Sequence, residues 1–350
     1  MLKTKAYAAQ TATSALAPWT FERRDVGAHD VLIDVSHCGV CHSDIHQARD
    51  GWGGSIFPMV PGHEIIGRVA KVGGDVKKFK AGELVGVGCM VDSCRECAPC
   101  KAHLEQYCEK VPAWTYNGTE MDRKTPTFGG YSDQTVVDEN YVVRVPDNLD
   151  PAAAAPLLCA GITTYSPLRH WKVGKGHKVG IIGLGGLGHM GVKFAAAFGA
   201  DAWVITTTAG KAEDAKRLGA AGAVVSKNAD DMAKHVGSFD FLLNTVAAKY
   251  DLAAYLSLLK LDGTMAVVGV PEEPLDLHTF SVIAGRKSLA GSAIGGIAET
   301  QEMLDYCGKH NIVSDIETIP IQKINEAYER MLKSDVRYRF TIDMASLKNA

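Results

Sequence analysis

The apolar positions of this chain come in two rhythms. Through the first 150 residues they form short runs between glycine-rich turns. Val31-Leu32-Ile33-Asp34-Val35 reads as a buried strand, Ile65 to Val76 and Leu84 to Val87 as further strands, and Tyr131 to Val145 alternates well enough for two more. Gly51 to Gly54 and Gly73-Gly74 punctuate them. Many glycines and few helical periods predict a partly closed, irregular β body. The rhythm changes at Asp150-Pro151, an N-cap residue followed by proline, which predicts a helix through Ala152 to Leu158 reaching Cys159. Lys178 to Ile182 is then a short buried strand. The helix after it carries Leu187, Met190, Phe194 and Phe198 on one face. Strands recur at Ala202 to Ile205, Ala223 to Val225, Phe239 to Leu243, Met265 to Val270 and Ser288 to Ala290, with helical stretches between them. That alternation predicts an α/β fold, a doubly wound parallel sheet. Glu299 to His310 and Lys323 to Leu332 read as helices, and Tyr338 to Ile342 as a last strand returning to the β body. The predicted domains are 1–154 with 296–350, and 155–295.

Composition narrows the class. Hydrophobic residues at 46% and charged residues at 22% fit an ordinary globular protein with sizeable cores. A net charge of -3 and a pI near 6.5, with no basic stripe, exclude nucleic acid as a partner. No apolar run reaches the roughly 18 residues a membrane helix needs. Met1 to Lys5 lead into no apolar segment of the signal-peptide kind, so the expected location is the cytoplasm. The nine cysteines, an odd number with four crowded between positions 94 and 108, point to metal rather than disulfides.

Candidate chemistry clusters in four places. Cys41-His42-Ser43-Asp44-Ile45-His46 offers metal-binding residue types, a carboxylate three residues after the Cys to orient another ligand, and a hydroxyl able to pass a proton. Pro61-Gly62-His63-Glu64 supplies a second ligand candidate in His63, with Glu64 beside it as an alternate ligand. Cys94-x2-Cys97-x2-Cys100-x7-Cys108 can close a tetrahedral all-sulfur shell around zinc; its gap of seven does not match bacterial iron–sulfur spacing. Such a shell has no open position, so its expected role is structural. Gly183-Leu184-Gly185-Gly186-Leu187-Gly188 lies between a strand and a helix. There it is a dinucleotide fingerprint, with a tight turn, close approach of a pyrophosphate and helix-on-sheet packing. The second strand of that unit ends in Thr206-Thr207-Thr208-Ala209-Gly210-Lys211, without the carboxylate that would bond an NAD ribose. Three hydroxyls and a Lys suit a 2′-phosphate and predict NADP(H). Arg337 and Arg339 are further candidates to meet phosphate.

Together these stretches resemble the zinc-dependent medium-chain dehydrogenase/reductase superfamily, and within it the NADP-dependent cinnamyl alcohol dehydrogenase branch with its microbial aldehyde reductases. The resemblance rests on Gly39 to His46, Pro61 to Glu64, the four-Cys lobe, Pro156 to Tyr165, Gly183 to Gly191 and Asp335 to Phe340. It implies a Rossmann domain beside a GroES-like catalytic domain, and two Zn2+ per chain. Cys41, His63 and Cys159 would hold the catalytic zinc, with Asp44 behind His63. Ser43 and His46 would form a proton relay, linked through the nicotinamide ribose. Thr163, Thr245, Gly269, Val270, Ser292, Ala293 and Ile294 fall where the family lines the nicotinamide pocket; Trp52, Trp114 and Ile294 fall where it shapes the substrate cleft. The implied activity is hydride transfer between NADP(H) and a broad range of aldehydes and primary alcohols, aromatic and aliphatic, in a homodimer. A zinc-free quinone or enone reductase on the same fold would lack both cysteine sets, and a non-catalytic NADP-binding sensor would be free to lose Ser43 or His46. The one departure is Thr at 206 to 208, where the branch more usually has Ser.

Overall fold

The computed structural model describes residues 1–271 and 273–349. The chain divides into two compact units, Met1–Ile162 with Gly295–Ala350, and Thr163–Ile294.

The first unit is built on the strand Asp30–Val40, longer than the pattern suggested. Its extra length is held by two partners sharing one edge. Gln134–Asp138 pairs antiparallel with Asp30 to Asp34, and Arg339–Asp343 pairs antiparallel with His37 to Val40. Ile65–Val72 lies along the other edge, followed by Leu84–Val87 and Val143–Arg144, while Ile316–Pro320 flanks the C-terminal strand. The last strand thus enters the middle of the N-terminal sheet. Bulges between Leu32 and Ile33 and between Val35 and His37 bend the central strand over a core that includes Val31, Ile33, Ile65, Met59, Tyr131 and Phe340. Removing such side chains from water is the main stabilising term, at about 25 cal/mol per Å² of apolar surface.

The helix expected over Ala152 to Leu158 is two pieces, an α-turn Pro151–Ala154 and a 3-10 turn Ala155–Leu158. Pro156 lacks the N–H that would continue the ladder, so the backbone tightens there. Cys159 (φ -130°, ψ -69°) is the joint before the next helix, Ala160–His170.

The second unit is a six-stranded parallel sheet in the order Gly222–Val225, Asp201–Thr206, Lys178–Ile182, Phe239–Asn244, Leu259–Val267, Ser288–Gly291. This is the doubly wound order, reversing beside the first strand. The strand expected to reach Val270 stops at Val267, because the Val268 and Gly269 N–H groups both turn to the Asn244 carbonyl. Among the described residues no helix is long and apolar enough to cross a membrane.

Candidate functional site

Sheet register brings three distant segments of the first unit to one point. Cys38 pairs with Ile65 and Val40 with Phe340, so Cys41 and His63-Glu64 lie just beyond the ends of their strands, and Arg339, next to Phe340, lies beside them. Cys41 caps the helix His42–Ala48, and its N–H donates to Asp44 Oδ2 at 2.8 Å. Cys41-x2-Asp44 is therefore a capping box with a thiol in place of the usual hydroxyl. Ser43 and His46, three apart on this helix, share a face, while Asp44, Ile45 and Ala48 turn into the core. Ser43 Oγ lies 3.6 Å from Cys41 Sγ. His46 stacks on Trp52 at 4.7 Å between ring centroids.

One ligand atom each of Cys41, His63, Glu64 and Cys159 lies within 4.8 Å of the others, all four residues buried. The Cys41 and Cys159 sulfurs are 3.9 Å apart. A disulfide needs about 2.05 Å. Two sulfurs on a tetrahedral zinc with Zn–S near 2.3 Å sit about 3.8 Å apart. His63 Nδ1–H donates to Asp44 Oδ1 at 3.2 Å, leaving Nε2 as the nitrogen available to a metal. The protein's own charges also call for a cation here. Through their mutual hydrogen bond the Cys41 thiol is pulled well below its ordinary value and the Cys159 thiol is pushed well above it, so the pair keeps a single proton. Both can be thiolates only with a positive centre between them. The donor set fits zinc.

Glu64 is fully buried, and Arg339 closes an ion pair on its Oε1. Burial pushes its carboxyl up to about 7, against the pull of Arg339. Glu64 Oε2 has no hydrogen-bond partner, and a Cβ at Gly39 would lie 1.9 Å from it. Gly39 is thus the space this carboxylate needs. Arg339 is not available to a phosphate: it is buried against Glu64, whereas Arg337 is exposed.

The four-Cys lobe gathers Cys94, Cys97, Cys100 and Cys108 with sulfurs within 4.8 Å of one another. The Cys94 N–H points at the Cys108 sulfur and the Cys97 N–H at the Cys94 sulfur, both at 3.4 Å. Backbone N–H groups of Glu96 and Cys97 pull the Cys94 thiol down to about 6, while burial pushes Cys100 up to about 12. Four sulfurs this close cannot all ionise without a cation among them, and the arrangement fits a structural metal. All nine cysteines are free thiols.

In the second unit the glycine loop leaves the carboxyl end of Lys178–Ile182. Gly183 takes φ +90°, and a Cβ at Gly188 would lie 2.0 Å from the Gly183 carbonyl, so neither position tolerates a side chain. Nothing lies within 4 Å of a Cβ at Gly185, at the start of the turn before the helix Gly188–Ala197, where N–H groups and helix dipole favour an anion. Leu184 is buried; Gly186 and Leu187 are partly exposed. Thr245, Gly269-Val270 and Ser292-Ala293-Ile294 follow the carboxyl ends of the next three strands, on the same edge as the glycine loop. Thr163 is buried on the helix Ala160–His170. At the end of the second strand Thr206 is buried and its Oγ1 accepts from the Thr208 N–H at 3.5 Å, whereas Thr207 and Thr208 are exposed. Lys211 Nζ reaches back to the Leu184 carbonyl at 3.0 Å, so one ammonium spans the ribose corner and the glycine loop. Glycine cradle, hydroxyls and ammonium fit a dinucleotide with an extra phosphate. Trp114 is partly buried against the core of the first unit.

Two groups at the candidate metal site carry little sequence signal: the arginine on Glu64, and the tyrosines Tyr116, Tyr131 and Tyr328 near Asp44. Gly129-Gly130 before Tyr131 was the available hint, a glycine pair that permits close backbone approach.

A glycine-loop parallel sheet together with a buried Cys/His/Cys group and a four-Cys lobe defines a zinc-binding dehydrogenase. Residues 27–147 match the alcohol dehydrogenase GroES-like domain and residues 186–309 the zinc-binding dehydrogenase family. The chain belongs to the zinc-dependent medium-chain dehydrogenase/reductase superfamily, in its cinnamyl alcohol dehydrogenase branch. It is 56% identical to NADP-dependent alcohol dehydrogenase C 1 of Mycolicibacterium smegmatis over 100% of both chains. It is 55% identical to an aldehyde reductase of Escherichia coli over 99% of both. A solved cinnamyl alcohol dehydrogenase of Sorghum bicolor superposes with a TM-score of 0.96 at 45% identity, over 98% of each chain.

Proposed function

We propose that the protein is a zinc- and NADP(H)-dependent alcohol dehydrogenase and aldehyde reductase acting on primary alcohols and aldehydes, aromatic and aliphatic. Met1–Ile162 with Gly295–Ala350 serves as the catalytic domain and Thr163–Ile294 as the NADP(H) domain. The observation that carries this reading is the buried Cys41/His63/Cys159 group, with Asp44 hydrogen-bonded behind His63 and Ser43 on the same short helix. Dehydrogenase relatives of the whole chain support it.

Cys41 Sγ, His63 Nε2 and Cys159 Sγ hold the catalytic zinc; Cys94, Cys97, Cys100 and Cys108 hold a second, structural one. Bound zinc supplies Lewis acidity toward a carbonyl or alcohol oxygen, and NADPH supplies the hydride. Asp44 accepts from His63 Nδ1–H and so fixes the ring's tautomer and direction. Ser43 Oγ gives the proton in reduction and takes it in oxidation, and His46 passes it toward solvent. Trp52, stacked on His46, holds that ring while offering an apolar wall to substrate. Thr207, Thr208 and Lys211 receive the 2′-phosphate. Reduction is the favoured direction, because a 2′-phosphate cofactor is normally kept reduced in cells.

The enzyme acts in the cytoplasm as a homodimer. Ser288–Gly291 is an edge strand with Leu289 exposed, and Phe280 and Ile283 stand exposed on the preceding turn of helix. Steady-state rates over aliphatic and aromatic aldehydes with NADPH and with NADH test the reading. Turnover with NADPH on primary aldehydes is expected; preference for NADH, or no turnover by zinc-loaded protein, refutes it.

A further inference from the structure

Asp44 is more heavily committed than its place behind His63 requires. Each oxygen accepts two hydrogen bonds. Oδ1 receives the Gly62 N–H at 3.1 Å and His63 Nδ1–H at 3.2 Å; Oδ2 receives the Cys41 N–H at 2.8 Å and the Tyr131 hydroxyl at 3.2 Å. Three of these donors come from the two segments that carry Cys41 and His63. The fourth comes from a residue 87 positions further along the chain.

Tyr131 is held as firmly as the carboxylate it meets. The Gly129, Gly130 and Tyr131 N–H groups donate to the carbonyls of Val60, Gly62 and Pro61 at 2.8, 2.8 and 3.0 Å. A Cβ at Gly129 would lie 2.3 Å from the Pro61 carbonyl oxygen. Gly62 takes φ +102°, and a Cβ there would lie 2.7 Å from the Tyr131 ring. The glycines on both sides are what let the ring descend onto Asp44. Tyr131 is fully buried, so its hydroxyl has no water to turn to. Burial and the Asp44 charge push the phenols of Tyr131, Tyr328 and Tyr116 well up, which leaves them neutral, and the Tyr131 hydroxyl donates to Asp44.

We infer that Tyr131 is a positioning residue for the catalytic zinc: its hydroxyl, acting through Asp44, holds His63 in the geometry that retains the metal. The inference rests on the assignment of Cys41, His63 and Cys159 as zinc ligands. With both oxygens doubly engaged the carboxylate plane cannot rotate about Cβ–Cγ, and the direction of the His63 Nδ1–H bond is fixed with it. Without the Tyr131 hydroxyl, Oδ2 keeps only the Cys41 N–H. The carboxylate can then rock, and His63 Nε2 loses its aim.

The test is Tyr131→Phe in full-length, metal-loaded protein. It deletes one oxygen and keeps the ring packing. Cobalt substitution distinguishes the two sites, since a sulfur–nitrogen shell and an all-sulfur shell give different ligand-field spectra, and a chelator then draws metal out of each. The expected result is about 10-fold faster loss from the Cys41/His63/Cys159 site, the low end of what outer-shell partners deliver, with the four-Cys lobe unchanged as an internal measure of folding. In an Asp44→Asn background the same substitution should have no further effect. Unchanged release, equal acceleration at both sites, or a full effect persisting in Asp44→Asn would each overturn the role. A wild-type chain that takes up cobalt only in its lobe would instead overturn the ligand assignment itself.

Discussion

Replacing Arg339 by Met should destabilise the catalytic unit in a pH-dependent way. Arg339 and Glu64 are both buried, and the guanidinium engages only one carboxylate oxygen. Removing one partner of a buried pair strands the other charge, at a typical cost of about 3–5 kcal/mol. Glu64 has an escape, which is to take up a proton. Its carboxyl is already pushed from 4.5 to about 7 by burial, although Arg339 lowers it. A carboxyl that binds its proton more tightly folded than unfolded gives stability below 4.5, lost as pH rises through 7; 2.5 units correspond to about 3 kcal/mol. Deleting Arg339 removes the lowering influence, so the folded carboxyl holds its proton to higher pH and the variant goes on losing stability past the pH at which wild type levels off. The variant should therefore lie close to wild type near pH 5.5 and fall furthest behind above pH 8. At roughly 2–4 °C per kcal/mol for a unit of this size, the gap at high pH is about 10 °C in Tm. Thermal unfolding of both proteins across that range measures it. The double variant Glu64→Gln/Arg339→Met, with no stranded charge, should recover most of the loss. A pH-independent gap, or no recovery in the double variant, refutes the reasoning.

Three further outcomes are expected. Ser43→Ala should lower kcat by about 100-fold or more while changing the Kd for NADPH little, because the hydroxyl's task is to move a proton while the glycine loop and the Thr207 to Lys211 corner hold the dinucleotide; cofactor fluorescence titration and steady-state rates check both halves. Lys211→Glu should raise KM for NADPH by about 100-fold and affect NADH much less, as a like charge would face the 2′-phosphate from the position that now reaches the Leu184 carbonyl. Metal analysis of the purified protein should find two zinc per chain, and a chain with one or none would sink one of the two ligand sets.

Features whose chemistry is carried by neighbours in the chain were readable from the residues. Four cysteines within one loop must meet, wherever that loop lies, and a glycine run between a strand and a helix can have few other geometries. At the Thr206 to Lys211 corner the residues alone did not show that Thr206 is buried, which leaves Thr207, Thr208 and Lys211 as the groups that face outward. The capping role of Cys41 and Asp44 was legible in principle from their spacing, but the helix His42–Ala48 is too short to show a period. The break at Cys159 was hidden because Pro156 follows an alanine run that reads as continuous helix.

What the sequence determined on its own is therefore local: the strand-and-helix alternation, the lobe, the glycine turn and the short stretch that carries Cys41, Ser43, Asp44 and His46. Tertiary structure alone decided what surrounds them. Arg339 reaches Glu64 across 275 residues because Phe340 pairs with Val40 rather than with a neighbour two positions away. Tyr131 reaches Asp44 because three N–H groups dock its segment onto Pro61-Gly62. Covalent spacing limits which near neighbours can meet. Register between distant strands follows from burying a whole core at once, and no short stretch of residues carries that information.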